Sequence, residues 1–140
     1  GVKETTKTSK SYRTIGLTTQ SINLLKTLIL ENKKENQWND KFIDRGYIFT
    51  NTAGSPIDLN KINNIIKEAT EISSIKKSVT THTLRHAHIS TLAQLGINLK
   101  AIQERVGHSD YKTTLEIYTH VTDQMAKDMM NKLEHISTYS

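Results

Sequence analysis

Residues 2–17, VKETTKTSKSYRTIGL, carry the only strong strand pattern near the start of the chain, so the fold class turns on them. Segments 2–6 and 12–17 are rich in Thr and β-branched residues, which favour a pleated backbone. The polar Lys7-Thr8-Ser9-Lys10-Ser11 between them has the composition of a turn, and the whole reads as a β-hairpin with a basic loop. In the second arm the period of two puts Arg13, Ile15 and Leu17 on one face and Tyr12, Thr14 and Gly16 on the other.

Beyond the hairpin the periodicity changes to that of helices. Thr18 or Thr19 can cap a helix in which Ile22, Leu25, Leu28 and Ile29 recur, up to the charged run at 31–35. Residues 47–50 are a short strand candidate, and 51–56 hold the Gly and Pro of a turn. Asp58 caps the next helix, whose apolar stripe is Leu59, Ile62, Ile65, Ile66, Ala69 and Ile72. A helix over 81–95 closes at Gly96, and a short one capped by Asn98 ends near Gly107. A short helix at 113–119 and a last amphipathic one at 123–136 complete the reading. The expected class is α+β: a mostly helical domain with an N-terminal β-hairpin or small antiparallel sheet.

At 140 residues the expected organisation is one domain, 1–140. Nineteen Lys and Arg against fourteen Asp and Glu leave a net charge of +5, which suits a polyanionic partner. The absence of cysteine excludes disulfides, thiolate metal sites and cysteine nucleophiles. No apolar run approaches the roughly 20 residues that span a bilayer, and the first residues lack the apolar centre of a signal peptide, so a cytoplasmic protein is expected.

Chemistry concentrates in Thr81-His82-Thr83-Leu84-Arg85-His86. At the start of a helix, His82 and Arg85 are three apart and share a face, near the unpaired N–H groups that favour a phosphate. Arginine offers a planar fork matching two phosphate oxygens, and it stays charged at any working pH. A metal competes, because His82 and His86 stand at i, i+4. Against it, the residues between them supply no Glu, and a permanent cation sits beside the would-be dication. No metal or other cofactor is expected, and the plain alternative is a pair of core histidines near a surface arginine.

Twenty-two positions after Arg85 comes Gly107-His108-Ser109, and ten after His108 comes Tyr118, within Thr113-Thr114-Leu115-Glu116-Ile117-Tyr118-Thr119-His120. This ordered set resembles the tyrosine recombinase (phage integrase) family, whose catalytic domain carries a His-x-x-Arg box, a Gly-His box and a nucleophilic tyrosine in that order. The basic segment Thr6-Lys7-Thr8 and Ser11-Tyr12-Arg13-Thr14-Ile15 resembles the family's lysine turn and following strand. The resemblance implies DNA integration or recombination by strand cleavage and rejoining. Tyr118 would attack a phosphodiester, leaving a 3′-phosphotyrosyl bond and a free 5′-hydroxyl, with no ATP and no metal. Arg85, His82 and His108 would hold the charged phosphate, and Lys7 would protonate the departing oxygen. Lys3, Lys10 and Arg13 would contact DNA. Physical chemistry is consistent with these roles, since a phenol of pKa about 10 needs nearby cations to act as an anion near neutrality. His86 is expected to pack inside; His88, His120 and His135 are given no catalytic part.

The family also has an arginine in a Gly-x-Arg-x-x-Glu box before the lysine, and nothing here precedes Gly1. The chain is therefore expected to be the carboxyl-terminal part of a longer recombinase, without the amino-terminal DNA-clasping domain. Losing one such phosphate donor costs on the order of 10²–10³ in rate, so little turnover is expected of the chain alone. Met125, Met129, Leu133 and Ile136 form a late apolar stripe. It packs either on its own core or, as the resemblance implies, on a neighbouring protomer of a DNA-bound tetramer. The resemblance also implies a prophage or mobile-element protein of a bacterial cytoplasm. A DNA-binding regulator without chemistry and a type IB topoisomerase-like enzyme remain as alternatives.

Overall fold

The computed structural model describes residues 12–138. Among them there is no strand, and the β pairing is an isolated antiparallel bridge, Thr50 with Pro56. The described chain is all-α, which corrects the α+β expectation. Segment 12–17, expected to be the second arm of a hairpin, belongs to no strand; segment 2–6 lies outside the described residues. The physical reason is that β-branched composition measures fitness for a ladder, and a strand exists only where a ladder forms. Likewise 47–50 yields one bridge residue rather than a strand.

Five helices carry the described fold: α1 (Thr19–Trp38), α2 (Leu59–Ile72), α3 (Thr81–Gln94), α4 (Leu99–Val106) and α5 (Tyr111–Thr138). The chain forms two compact units, one of residues 16–81, the other containing 12–15 and 82–138.

In the first unit, Thr18 caps α1 by accepting from the Ser21 amide at 3.2 Å. The helix runs on through the charged segment 31–35, past the point where its apolar repeat stops, because nothing there breaks a helix. Asn32 donates from Nδ2 to the carbonyls of Tyr47 and Ile48 at 3.0 and 3.1 Å, tying the loop to α1. The turn at 51–55 is held by Asn51 Oδ1, which accepts from the Ala53 and Ser55 amides. Gly54 is buried there at φ +79°, and a Cβ would lie 1.9 Å from the Ile43 carbonyl oxygen, so only glycine fits. Asp58 caps α2 through the Asn60 amide at 2.6 Å, as its sequence predicts.

The second unit has the larger core. Ile89 and Ala93 on α3, Ile102 and Val106 on α4, and Val121 on α5 are buried together, with Leu92, Ile117 and Tyr118 packed against them. Each helix supplies an i, i+4 pair, Ile117 and Val121 being that of α5, so three stripes meet in one cluster. Helix α3 ends in a Schellman motif: the Gly96 amide donates to Ala93 and the Ile97 amide to Leu92, with Gly96 at φ +78°. Asn98 then caps α4 through the Ala101 amide at 2.9 Å.

The two short helices expected at 113–119 and 123–136 are one continuous helix, α5. Its residues include neither Gly nor Pro. Thr122, which sits where the sequence suggested a break, turns its hydroxyl back onto the carbonyls of Tyr118 and Thr119 and so accommodates the helix.

Candidate active site

Arg85 projects from the second turn of α3, half-buried. Its Nη2 donates to the carbonyl of Val106, the last residue of α4, and its Nε lies 3.9 Å from Asp110 Oδ2. The guanidinium therefore spans from α3 to the segment that carries the Gly-His box. That segment turns sharply: Gly107 has φ +93° and ψ 151°, a region open essentially to glycine, and a short 3₁₀ helix, His108–Asp110, follows. The turn delivers His108 to the surface and Asp110 back toward Arg85.

On the same unit, Arg13 donates from Nε to the Arg105 carbonyl at 2.9 Å. Its guanidinium stands so close to Gly107 that a Cβ there would meet Nη1 at 2.8 Å. Arg105 in turn donates from Nε to His88 Nε2 at 3.0 Å. Partial burial, and then the neighbouring Arg105 charge, push the His88 pKa below its ordinary value, which favours the neutral imidazole that can accept this hydrogen bond. Beside these groups lies a cleft of about 690 Å³ lined by Tyr12, Arg13, Thr14, Glu104, His108 and Tyr111.

His82 is exposed on the first turn of α3, its ring centroid 5.0 Å from that of His86. His86, expected to pack inside, is half-buried, and its Nε2 is buried without a hydrogen-bond partner. Tyr118 is partly buried on α5 and faces the core cluster, three residues before Val121 on the same stripe. It is not among the described residues lining the cleft. Lys3, Lys7 and Lys10 lie outside the described residues.

Of the expected set, the fold thus ties Arg85 to the Gly-His box and places Arg13 with His108 around one cleft, while Tyr118 packs elsewhere on the unit. Sequence reasoning missed Asp110, although an acid three positions after Gly107 was visible as a partner for an arginine. It also missed the Arg105–His88 pair and the hold of Arg13 on Arg105, for which spacing gave no signal, since the partners are 17 and 92 positions apart.

The phage integrase family matches this chain over residues 2–125. The chain belongs to that family. An integrase of Staphylococcus phage L54a is 50% identical over 136 residues, covering 97% of this chain and 38% of the relative. A probable integrase of prophage ps2 in Lactococcus lactis is 41% identical over 138 residues, 94% of this chain and 36% of the relative. Tyrosine recombinase XerD of Staphylococcus aureus is 40% identical over 85 residues, 61% of this chain and 28% of the relative. This integrase-family chain thus spans well under half the length of these relatives.

Proposed function

We propose that this chain carries the strand-cleavage centre of a site-specific recombinase acting on double-stranded DNA. In this reading the Tyr118 oxygen attacks a backbone phosphorus, the phenolic proton is released, and the bond to the 5′-oxygen breaks. The new bond is a 3′-phosphotyrosyl ester, and the 5′-oxygen leaves as a hydroxyl after taking a proton from Lys7. Its reversal on another strand rejoins the DNA with no external energy. Arg85, His82 and His108 stabilise the charge that builds on the non-bridging oxygens, with the half-buried Arg85 as the donor the fold holds in place. Arg13, with Lys3 and Lys10, takes the flanking phosphates, which position DNA without reading its sequence.

The observation that supports this reading is the hold of Arg85 on Val106 and Asp110, which keeps the His-x-x-Arg box beside the Gly-His box. Tyr118 must leave its place on the core to reach a phosphate, so cleavage in this reading includes a displacement of the α5 segment. The exposed stripe of Met125, Met129, Leu133 and Ile136 supports docking of α5 on a neighbouring protomer in a tetramer on DNA. Among the described residues no helix is long and apolar enough to cross a membrane, and the proposed place of action is the cytoplasm, where bacterial DNA lies.

A DNA-binding regulator without cleavage is the second reading, favoured by the partial burial of Tyr118. A nicked suicide substrate separates the two, with the chain in a full-length recombinase. A covalent adduct that Tyr118→Phe abolishes, with salt-dependent DNA binding retained, supports cleavage. Binding without any adduct supports the regulator.

A further inference from the structure

His86 and Asp110 have no part in the proposed cleavage, yet they gather around His82. One ligand atom from each of His82, His86 and Asp110 lies within 4.8 Å of the other two. The two imidazoles come from successive turns of α3, at the i, i+4 spacing of histidines that share a metal. The acid arrives from the 3₁₀ helix after Gly107, which the sequence alone did not bring to the pair. The group also holds unmet hydrogen-bonding capacity: His86 Nε2 is buried with no hydrogen-bond partner, and Asp110 Oδ2, also buried, makes no hydrogen bond and faces the Arg85 Nε at 3.9 Å. Buried polar atoms are nearly always answered by a protein group, a water or an ion.

Two imidazole nitrogens and one carboxylate oxygen match the donor set of an open zinc site, with a fourth position left for water. Zinc–ligand bonds of about 2.0–2.2 Å put ligand atoms roughly 3.3 Å apart around a tetrahedron. Side-chain rotation closes the remaining gap, most easily at the exposed His82. Nitrogen ligands exclude magnesium and calcium, which take oxygen.

We infer that His82, His86 and Asp110 form a binding site for a divalent transition metal of the zinc class. Arg85, 3.9 Å from Asp110, opposes the dication and sets the affinity to moderate. An occupied site engages a ring nitrogen of His82 and so removes one donor from a bound phosphate, making the metal an inhibitor; that last clause alone rests on the function proposed above.

Calorimetric titration of the 140-residue chain with zinc chloride, and with magnesium chloride as control, tests the site without DNA. The expected result is one zinc per chain, no magnesium, and binding at least about tenfold weaker in His82→Ala, His86→Gln and Asp110→Asn, each checked for retained helicity. His82→Ala carries the test if a change at His86 or Asp110 unfolds the protein, because His82 is exposed. Absence of zinc binding, or binding that His82→Ala leaves unchanged, overturns the site. Adduct yield of the full-length enzyme with zinc and with chelator then reads the inhibitory clause: a fall with zinc supports it. Equal yields with zinc bound overturn that clause alone, and an adduct from a chain that binds no zinc overturns the metal site while leaving the proposed function standing.

Discussion

The Arg85 guanidinium donates to the main-chain carbonyl of Val106, twenty-one positions along the chain, and so joins the first half of α3 to the end of α4. A side chain whose charge is expected to serve phosphate is thereby also a structural tie. Arg85→Ala removes both functions, leaving the Val106 carbonyl without that donor and Asp110 without that neighbouring charge. A hydrogen bond to a charged group contributes about 1.5–3 kcal/mol, so urea unfolding of Arg85→Ala is expected to show a loss in that range, and Arg85→Lys a smaller one. An unchanged midpoint in Arg85→Ala contradicts the tie.

Three of the four described glycines at positive φ, Gly54, Gly96 and Gly107, rank by what a methyl group would meet. Gly96→Ala enters open space and costs only the left-handed backbone, about 1 kcal/mol. Gly107→Ala adds displacement of the Arg13 guanidinium and strain at a backbone conformation reserved for glycine, about 1–3 kcal/mol. Gly54→Ala drives its methyl into the Ile43 carbonyl and is expected to be the most harmful of the three. Thermal melts of the three variants check the order.

Ile89 and Ile102 are fully buried. Truncating either to Ala is expected to cost about 2–5 kcal/mol, and Ile102→Val about 0.5–1.5 kcal/mol, by lost transfer energy plus the cavity left behind. Denaturant midpoints read the difference, and equal losses for Ile102→Val and Ile102→Ala contradict the packing described.

Thr114 is also fully buried, but its hydroxyl has no hydrogen-bond partner among the described residues. Exchanging that hydroxyl for a methyl of similar size removes a desolvated polar atom. Thr114→Val is therefore expected to be neutral or stabilising by up to about 1 kcal/mol in urea unfolding. A loss of that size instead means that the hydroxyl holds a partner such as an ordered water.

The helices were legible in the sequence where local chemistry fixes them. Asp58, Asn98 and Gly96 act at helix ends as their residue types dictate, because a cap is a contact within one turn. The strand expectation at 12–17 failed because a ladder depends on a partner segment that composition does not show. The break expected inside α5 failed because β-branched residues are only a weak bias against helix, and Thr122 satisfies its hydroxyl within it. In the candidate site, the spacing of the His-x-x-Arg and Gly-His boxes pointed to residues that the fold links, through Val106. Asp110 beside Arg85, and its convergence with two histidines, required the Gly107 turn and could not be read from spacing. The partial burial of Tyr118 follows from its register with Val121, a relation visible only once α5 is known to be continuous.

The five tyrosines of the chain make the central claim directly measurable. Tyr111 stands exposed in the cleft beside His108, whereas Tyr118 is partly buried against the core, so static position alone would favour the former. Mass spectrometry of the peptides from a full-length recombinase trapped on a nicked DNA substrate identifies the residue that carries the nucleotide. The account predicts the phosphodiester on Tyr118; a nucleotide on Tyr111 or any other tyrosine contradicts it.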